Sequence, residues 1–137
     1  MFKIVEKRQL AENIFQMKIA AERVARAALP GQFVIVRATE NGERIPLTIA
    51  DYDTEAGTVT IVTQTIGMST RKICALNEGD SLVDFAGPLG RPSEFVHMPI
   101  EEVRKRKYLF VAGGVGTAPV YPQVKWLHQH GVECDVI

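Results

Sequence analysis

Val111-Ala-Gly-Gly-Val-Gly-Thr-Ala-Pro-Val-Tyr-Pro122 follows the apolar run Tyr108–Ala112 and precedes a segment of helical character. A strand, then glycines, then a helix start is the layout of a dinucleotide phosphate site. Gly113, Gly114 and Gly116 lack Cβ, so their backbone is free to take φ > 0 and to approach a ligand closely. The helix behind them presents unpaired N–H groups and a positive dipole end to a pyrophosphate. The spacing departs from G-x-G-x-x-G, because Thr117-Ala-Pro119 stands where the third glycine would fall. Pro119 suits a first helical turn, where a missing N–H costs little. An ordinary glycine-rich βα turn without a ligand has the same pattern, so its meaning depends on what lies upstream.

Upstream, residues 2–8, 13–20, 32–38, 44–52, 57–65 and 80–86 read as six short strands rich in Val, Ile, Thr and Phe. Phe15, Met17 and Ile19 alternate with polar or small residues, which is strand periodicity. Glu40-Asn-Gly42, Asp53-Thr-Glu-Ala-Gly57 and Glu78-Gly-Asp80 supply turns between them. Evenly spaced short strands of this kind predict a mainly β fold, a small six-stranded antiparallel barrel or sandwich. One helix, 69–76, interrupts the series, and the Ala/Arg-rich Ala21–Leu29 reads as a short helical turn. Gly87-Pro-Leu-Gly-Arg-Pro92 ends both strand and helix.

Beyond it, 108–112, 117–130 and 133–137 read strand, helix, strand, one βαβ unit. The expected organisation is a barrel over 1–90, a linker over 91–107, and over 108–137 the start of a Rossmann-like α/β domain. Two parallel strands alone are not a stable sheet. The expectation is therefore a truncated α/β domain, inactive by itself. Its open strand edges would leave it disordered or paired in a homodimer.

The chain of 137 residues carries 16 basic and 16 acidic side chains. That balance gives no general attraction to nucleic acid or an anionic membrane. No apolar run approaches the roughly 20 residues that span a bilayer. The start, Met1–Arg8, is a charged alternating strand and not a signal peptide. Two distant cysteines, Cys74 and Cys134, suggest neither a disulfide framework nor a metal site. A cytoplasmic protein is expected.

Two more segments bear on chemistry. Arg44-Ile-Pro-Leu-Thr-Ile49 offers the Thr48 hydroxyl and an apolar face at Leu47 for a flat ring. It also reads as a plain barrel strand with an outward Thr and a solvated Arg. Val62-Thr-Gln-Thr-Ile-Gly-Met-Ser-Thr-Arg71 runs from a strand into the lone helix. Gly67 permits a tight turn, and Ser69 or Thr70 can cap the helix. That helix start is a second potential anion site, or an ordinary N-cap. His97, His128 and His130 lack the spacing of a metal set, Trp126 reads as core or interface, and Glu101–Lys107 as a solvated charge run.

Arg44-Ile-Pro-Leu-Thr-Ile-Ala-Asp51, Gly67-Met-Ser-Thr70, Gly87-Pro-Leu-Gly90 and Gly113-Gly-Val-Gly-Thr-Ala-Pro119 occur in this order along the whole chain. Together they resemble the ferredoxin–NADP reductase superfamily. The resemblance is narrower to the branch holding the small subunit of NADH-dependent ferredoxin:NADP oxidoreductase, also known as the sulfide dehydrogenase β subunit. The electron-transfer subunit of bacterial dihydroorotate dehydrogenase belongs to the same branch. The resemblance implies an FAD-binding barrel joined to an NAD(P)-binding α/β domain. It assigns Arg44, Pro46, Leu47 and Thr48 to FAD, with Thr48 near flavin N5. The family's arginine would fall at Ile45 and its aromatic ring at Leu47. It implies that Gly67, Met68, Ser69 and Thr70 cradle the FAD pyrophosphate, with Val62 and Gln64 beside the ring system. Gly113, Gly114, Gly116 and Thr117 would take the NAD(P)H pyrophosphate.

Longer relatives carry a [2Fe–2S] cluster on four cysteines near the C-terminus, which Cys74 and Cys134 do not supply. The implied activity is hydride transfer between NAD(P)H and FAD, with single electrons passing to or from ferredoxin or a larger flavin/iron–sulfur partner subunit. The alternatives are the electron-transfer subunit of a dihydroorotate dehydrogenase, and a non-catalytic barrel that serves as a docking module.

Overall fold

The computed structural model describes residues 1–137. Seven strands form one antiparallel sheet: β1 Phe2–Ala11, β2 Ile14–Ala20, β3 Phe33–Arg37, β4 Ile45–Asp53, β5 Thr58–Gln64, β6 Ser81–Leu82 and β7 Asp84–Leu89. Their spatial order is β6-β1-β2-β5-β4-β3-β7. The segment expected as one strand over 80–86 is split. Ser81 and Leu82 pair with β1, while Asp84–Leu89 pairs with β3 at the opposite edge. Val83, whose N–H donates to the Arg37 carbonyl at 2.9 Å, is the crossing point between the two edges. One short stretch of chain therefore ties both edges of the sheet and nearly closes the barrel, which leaves only the short strands β6 and β7 as its outer edges.

The barrel is filled by the inward-facing, alternate residues of its strands. Ile4, Ile19, Val34, Val36, Ile49, Val59, Ile61 and Leu82 are fully buried, and Met17 and Ile73 nearly so. Each such side chain contributes about 1.5–3 kcal/mol by leaving water. Two short helices join this core. Helix α1, Glu22–Ala27, contributes Val24 and Ala25, and helix α2, Met68–Cys74, contributes Ile73.

A second, smaller core follows the barrel. A 3₁₀ turn at Glu94–His97 and helix α3, Ile100–Lys105, occupy the stretch expected as a linker. They pack with helix α4, Thr117–Gln129, and with the parallel pair β8, Leu109–Phe110, and β9, Asp135–Val136. Phe95, Val103, Leu127 and Val132 are its buried residues. Phe95 lies against the rings of Tyr108 and Trp126, with centroids 5.8 and 5.3 Å away. No helix is long and apolar enough to cross a membrane.

Candidate functional site

Strand β4 sets the geometry of the site. Ile45, Leu47 and Ile49 turn toward the core, which leaves Pro46 and Thr48 on the outer face. A bulge between Ile49 and Asp51 then resets the alternation. Beyond it Tyr52 packs on the core and Asp51 faces outward. Thr48 and Asp51 thus share a face that an unbroken strand would have separated.

Helix α4 packs along β4, and between them opens a cleft of about 370 Å³. One wall is Ile45, Pro46, Leu47 and Thr48, and a second is Val62, Thr63 and Gln64 of β5. Ile66 and Thr70 border a third side, and Val115, Gly116, Ala118 and Pro119 the fourth. The lining is mostly apolar, with a few polar groups at Thr48, Gln64 and Thr70, as in a pocket for a flat organic ligand. Thr63, which borders the same space, has a buried Oγ1 with no hydrogen-bond partner. Pro122 has no N–H, so the carbonyl of Ala118, on the cleft wall, lacks its helical donor.

The loop into α2 is held by one side chain. Thr70 Oγ1 accepts from the N–H groups of Ile66 and Gly67, both at 2.9 Å, and donates to the Gly67 carbonyl at 3.0 Å. The N–H groups of Met68, Ser69 and Thr70 begin the helix and have no helical acceptor. Ser69 Oγ donates to a Glu43 carboxylate oxygen at 2.5 Å, which sets a negative charge beside this helix start. Met68 is 73% exposed.

Of the three glycines before α4, only Gly114 uses the left-handed region, at φ 56°. Gly113 has φ −158° and Gly116 φ −64°, values open to any residue. Gly67 is also extended, at φ −145°. A Cβ built on Gly67, Gly113 or Gly116 would meet nothing within 4 Å. Neither conformation nor packing within the chain demands glycine at these three positions. Each leaves free space beside the cleft or the turn that borders it.

A second cleft of about 550 Å³ adjoins the first and shares Val62, Val115 and Ala118 with it. Gly114, Thr117 and Tyr121 line one side of it, and Glu6, Arg8, Gln16 and Lys18 of β1 and β2 the other. At its end Lys125 Nζ meets Asp51 Oδ1 at 2.8 Å. That hydrogen bond raises the Lys125 pKa above its ordinary value. Burial, followed by the Asp51 charge, raises the Tyr52 phenol.

The structure brings Pro46, Leu47, Thr48, Val62, Gln64, Thr70 and Gly116 into one cleft, and Gly114 and Thr117 into the adjoining one. Gly67, Met68 and Ser69 belong to the loop and helix start beside Ile66 and Thr70, and Gly113 lies at the base of its turn. Arg44 is not among the lining residues. Its Nη2 pairs with Asp84 Oδ2 at 2.9 Å, and Arg37 Nε holds the same oxygen at 2.7 Å. Ile45, Thr63, Ile66, Val115, Ala118 and Pro119 complete the walls. Their individual signal in the sequence is faint: each lies within a segment that carries a candidate residue.

No protein-family model matches the chain. An uncharacterized protein in the adh 3′ region of Clostridium beijerinckii is 64% identical over 137 residues, covering 100% of this chain and 46% of that protein. A Thermotoga maritima homolog of the dihydroorotate dehydrogenase B (NAD(+)) electron transfer subunit is 41% identical over 128 residues, covering 93% and 43%. Among solved structures, an NADH-dependent reduced ferredoxin-NADP oxidoreductase, studied for flavin-based electron bifurcation, superposes with a TM-score of 0.89 at 38% identity, covering 99% of this chain and 47% of the other. The chain spans less than half the length of these curated relatives. By sequence it is similar to dihydroorotate dehydrogenase electron-transfer subunits, and by fold to the NADH-dependent reduced ferredoxin-NADP oxidoreductase, with which it shares the ferredoxin–NADP reductase-like barrel.

Proposed function

We propose that this chain is the flavin-binding part of an electron-transfer oxidoreductase, with the flavin ring in the cleft between β4, β5 and the start of α4. Three glycines with no conformational or packing reason of their own, at 67, 113 and 116, carry the reading. They leave room where another molecule would come close to backbone N–H groups. Bound FAD would supply two-electron exchange with a nicotinamide and one-electron exchange with an iron–sulfur acceptor.

The chain's own residues have distinct tasks in this reading. Pro46 offers an apolar floor, with Leu47, turned inward on the core, only bordering it, and Val115 with Pro119 the opposite side, so that water is excluded from the ring. The Thr48 hydroxyl donates or accepts at the ring edge. Val62 and Gln64 border the ring system, and the N–H groups at Met68–Thr70 hold the pyrophosphate, with Thr70 keeping their loop in shape. Gly113, Gly114, Gly116 and Thr117 receive the pyrophosphate of NAD(P)H. We assign the flavin to the unit 1–90 and the nicotinamide turn to 108–137, with 91–107 between them. Arg44 stays with Asp84 unless the FAD pyrophosphate draws it away.

The relatives' description as an electron transfer subunit supports a larger partner subunit, with ferredoxin or a dehydrogenase flavin as the exchange partner. A [2Fe–2S] cluster, where the whole protein has one, is held outside these residues. The free thiols at Cys74 and Cys134 suit a cytoplasmic setting.

Titration of the purified chain with FAD tests the reading. Stoichiometric quenching of flavin fluorescence and a perturbed visible spectrum are expected. A chain that neither quenches FAD nor carries colour from expression would refute it.

A further inference from the structure

The barrel and the smaller body each have their own apolar core, and polar ties help to join them where α4 lies along the barrel. Lys125 reaches Asp51 on β4 at 2.8 Å, with side chains 36% and 31% exposed. Gln123 Oε1 accepts from Ser93 Oγ at 2.8 Å, and the Ser93 N–H donates to the Pro30 carbonyl at 2.8 Å. Positions 123 and 125 stand about 200° apart around a helix, so the two ties leave α4 on opposite sides. Pro122, just before them, is buried.

The first tie exists because of the β4 bulge. Without it Asp51 would point into the core, and the Lys125 ammonium would have no counterpart. Lys125 lies eight residues beyond Thr117, roughly 12 Å along the helix from the glycine turn. A helix held at that distance by a charge pair acts as a lever on its own N-terminus, and that N-terminus forms one wall of the cleft.

We propose that Asp51 and Lys125 are positioning residues, a latch that holds α4 on β4 and so sets the gap between the Gly113–Thr117 turn and the outer face of β4. The latch does not touch the ligand. Its consequence for ligand access rests on the flavin reading, whereas the latch itself does not. A partly exposed pair is weakened by salt. The joint therefore loosens with rising ionic strength, while the apolar cores on either side do not.

The test uses the chain without added ligand. Trp126 is the only tryptophan, lies on α4 beside Lys125, and reports on the joint. In Lys125→Met, amide exchange in α4 should quicken about two- to fivefold, the factor that corresponds to an exposed ion pair. Exchange at Val34 and Ile61 should stay unchanged. Acrylamide should quench Trp126 more readily. High salt should bring the native chain toward the Lys125→Met behaviour and leave that variant unmoved. Lys125→Arg should restore the native pattern. Arg26→Met, which breaks the distant Glu22–Arg26 pair, should leave α4 unaffected.

Equal quickening in α4 and barrel would show a general stability role, and unchanged α4 exchange would show no latch. Either result overturns the proposal. A second arm measures FAD release, which should be faster in Lys125→Met. Native chain that binds no FAD while α4 loosens as described sinks the flavin reading and leaves the latch standing.

Discussion

Thr70→Val probes both the fold and the candidate site. The substitution keeps the side-chain shape and removes one hydroxyl, which makes three hydrogen bonds of 2.9–3.0 Å to Ile66 and Gly67. A net 0.5–1.5 kcal/mol for each would sum to several kcal/mol if all were buried. The loop is exposed, and water replaces much of that loss. Removal of a helix-capping side chain, about 0.5–2 kcal/mol, is the closer guide. We expect a loss of about 1 kcal/mol, which lowers Tm by roughly 3–4 °C in a chain of this size.

If the N–H groups at Met68–Thr70 hold the FAD pyrophosphate, the native chain binds FAD more tightly than FMN, which lacks that group. Loosening the loop by about 1 kcal/mol then weakens FAD about fivefold and leaves FMN within twofold. Thr70→Ser, which keeps the hydroxyl, should retain most of both properties. Fluorescence titrations with the two flavins and a thermal melt supply the data. Equal affinity of the native chain for FAD and FMN, or an equal fall for both in Thr70→Val, refutes a pyrophosphate site at this loop. An unchanged Tm refutes the hydrogen-bond argument itself.

Thr48→Val should shift the bound flavin's reduction potential more than its occupancy, since it removes one neutral hydrogen bond of about 0.5–1.5 kcal/mol; spectroelectrochemistry with the occupancy ratio checks this. Gly116→Ala should leave Tm the same or raise it, because φ −64° suits alanine and its Cβ meets nothing within 4 Å, while FAD binding weakens. Retained affinity there would mean the free space at Gly116 faces no ligand. Asp53 Oδ1 accepts the N–H groups of Glu55 and Ala56 at 2.9 Å, and the Ala56 bond, first among its causes, holds the carboxyl below its ordinary value of 3.8. A depressed folded-state pKa stabilises above the unfolded value and is lost as pH falls through the folded one. Asp53→Asn should therefore differ from the native chain at neutral pH, and the two denaturation midpoints should converge below about pH 4.

Much of the barrel was legible because strand signals are local. Alternation at Phe15, Met17 and Ile19, and turn residues such as Asp53 and Gly57, depend on side-chain period and allowed φ/ψ, which neighbouring residues set. A turn before each of α2 and α4 was legible for the same reason, but of Gly113, Gly114 and Gly116 only Gly114 takes φ > 0, and the N-cap of α2 is Gly67, with Thr70 acting from the third helical position. The partner of each strand was not. That Ser81–Leu82 joins β1 while Asp84–Leu89 joins β3 is settled by which edges remain unpaired once the other strands have closed on Ile4, Val34 and Ile61, a long-range condition absent from residues 80–89 themselves. The bulge at Ala50 was hidden likewise, since the alternation of 45–49 runs on smoothly until packing of Tyr52 reverses it. The cleft depends on both. The β4–β5 pairing sets Val62 beside Thr48, helix α2 follows β5 to place Thr70 at the same end, and the packing of α4 along β4 adds Gly116 to the same space.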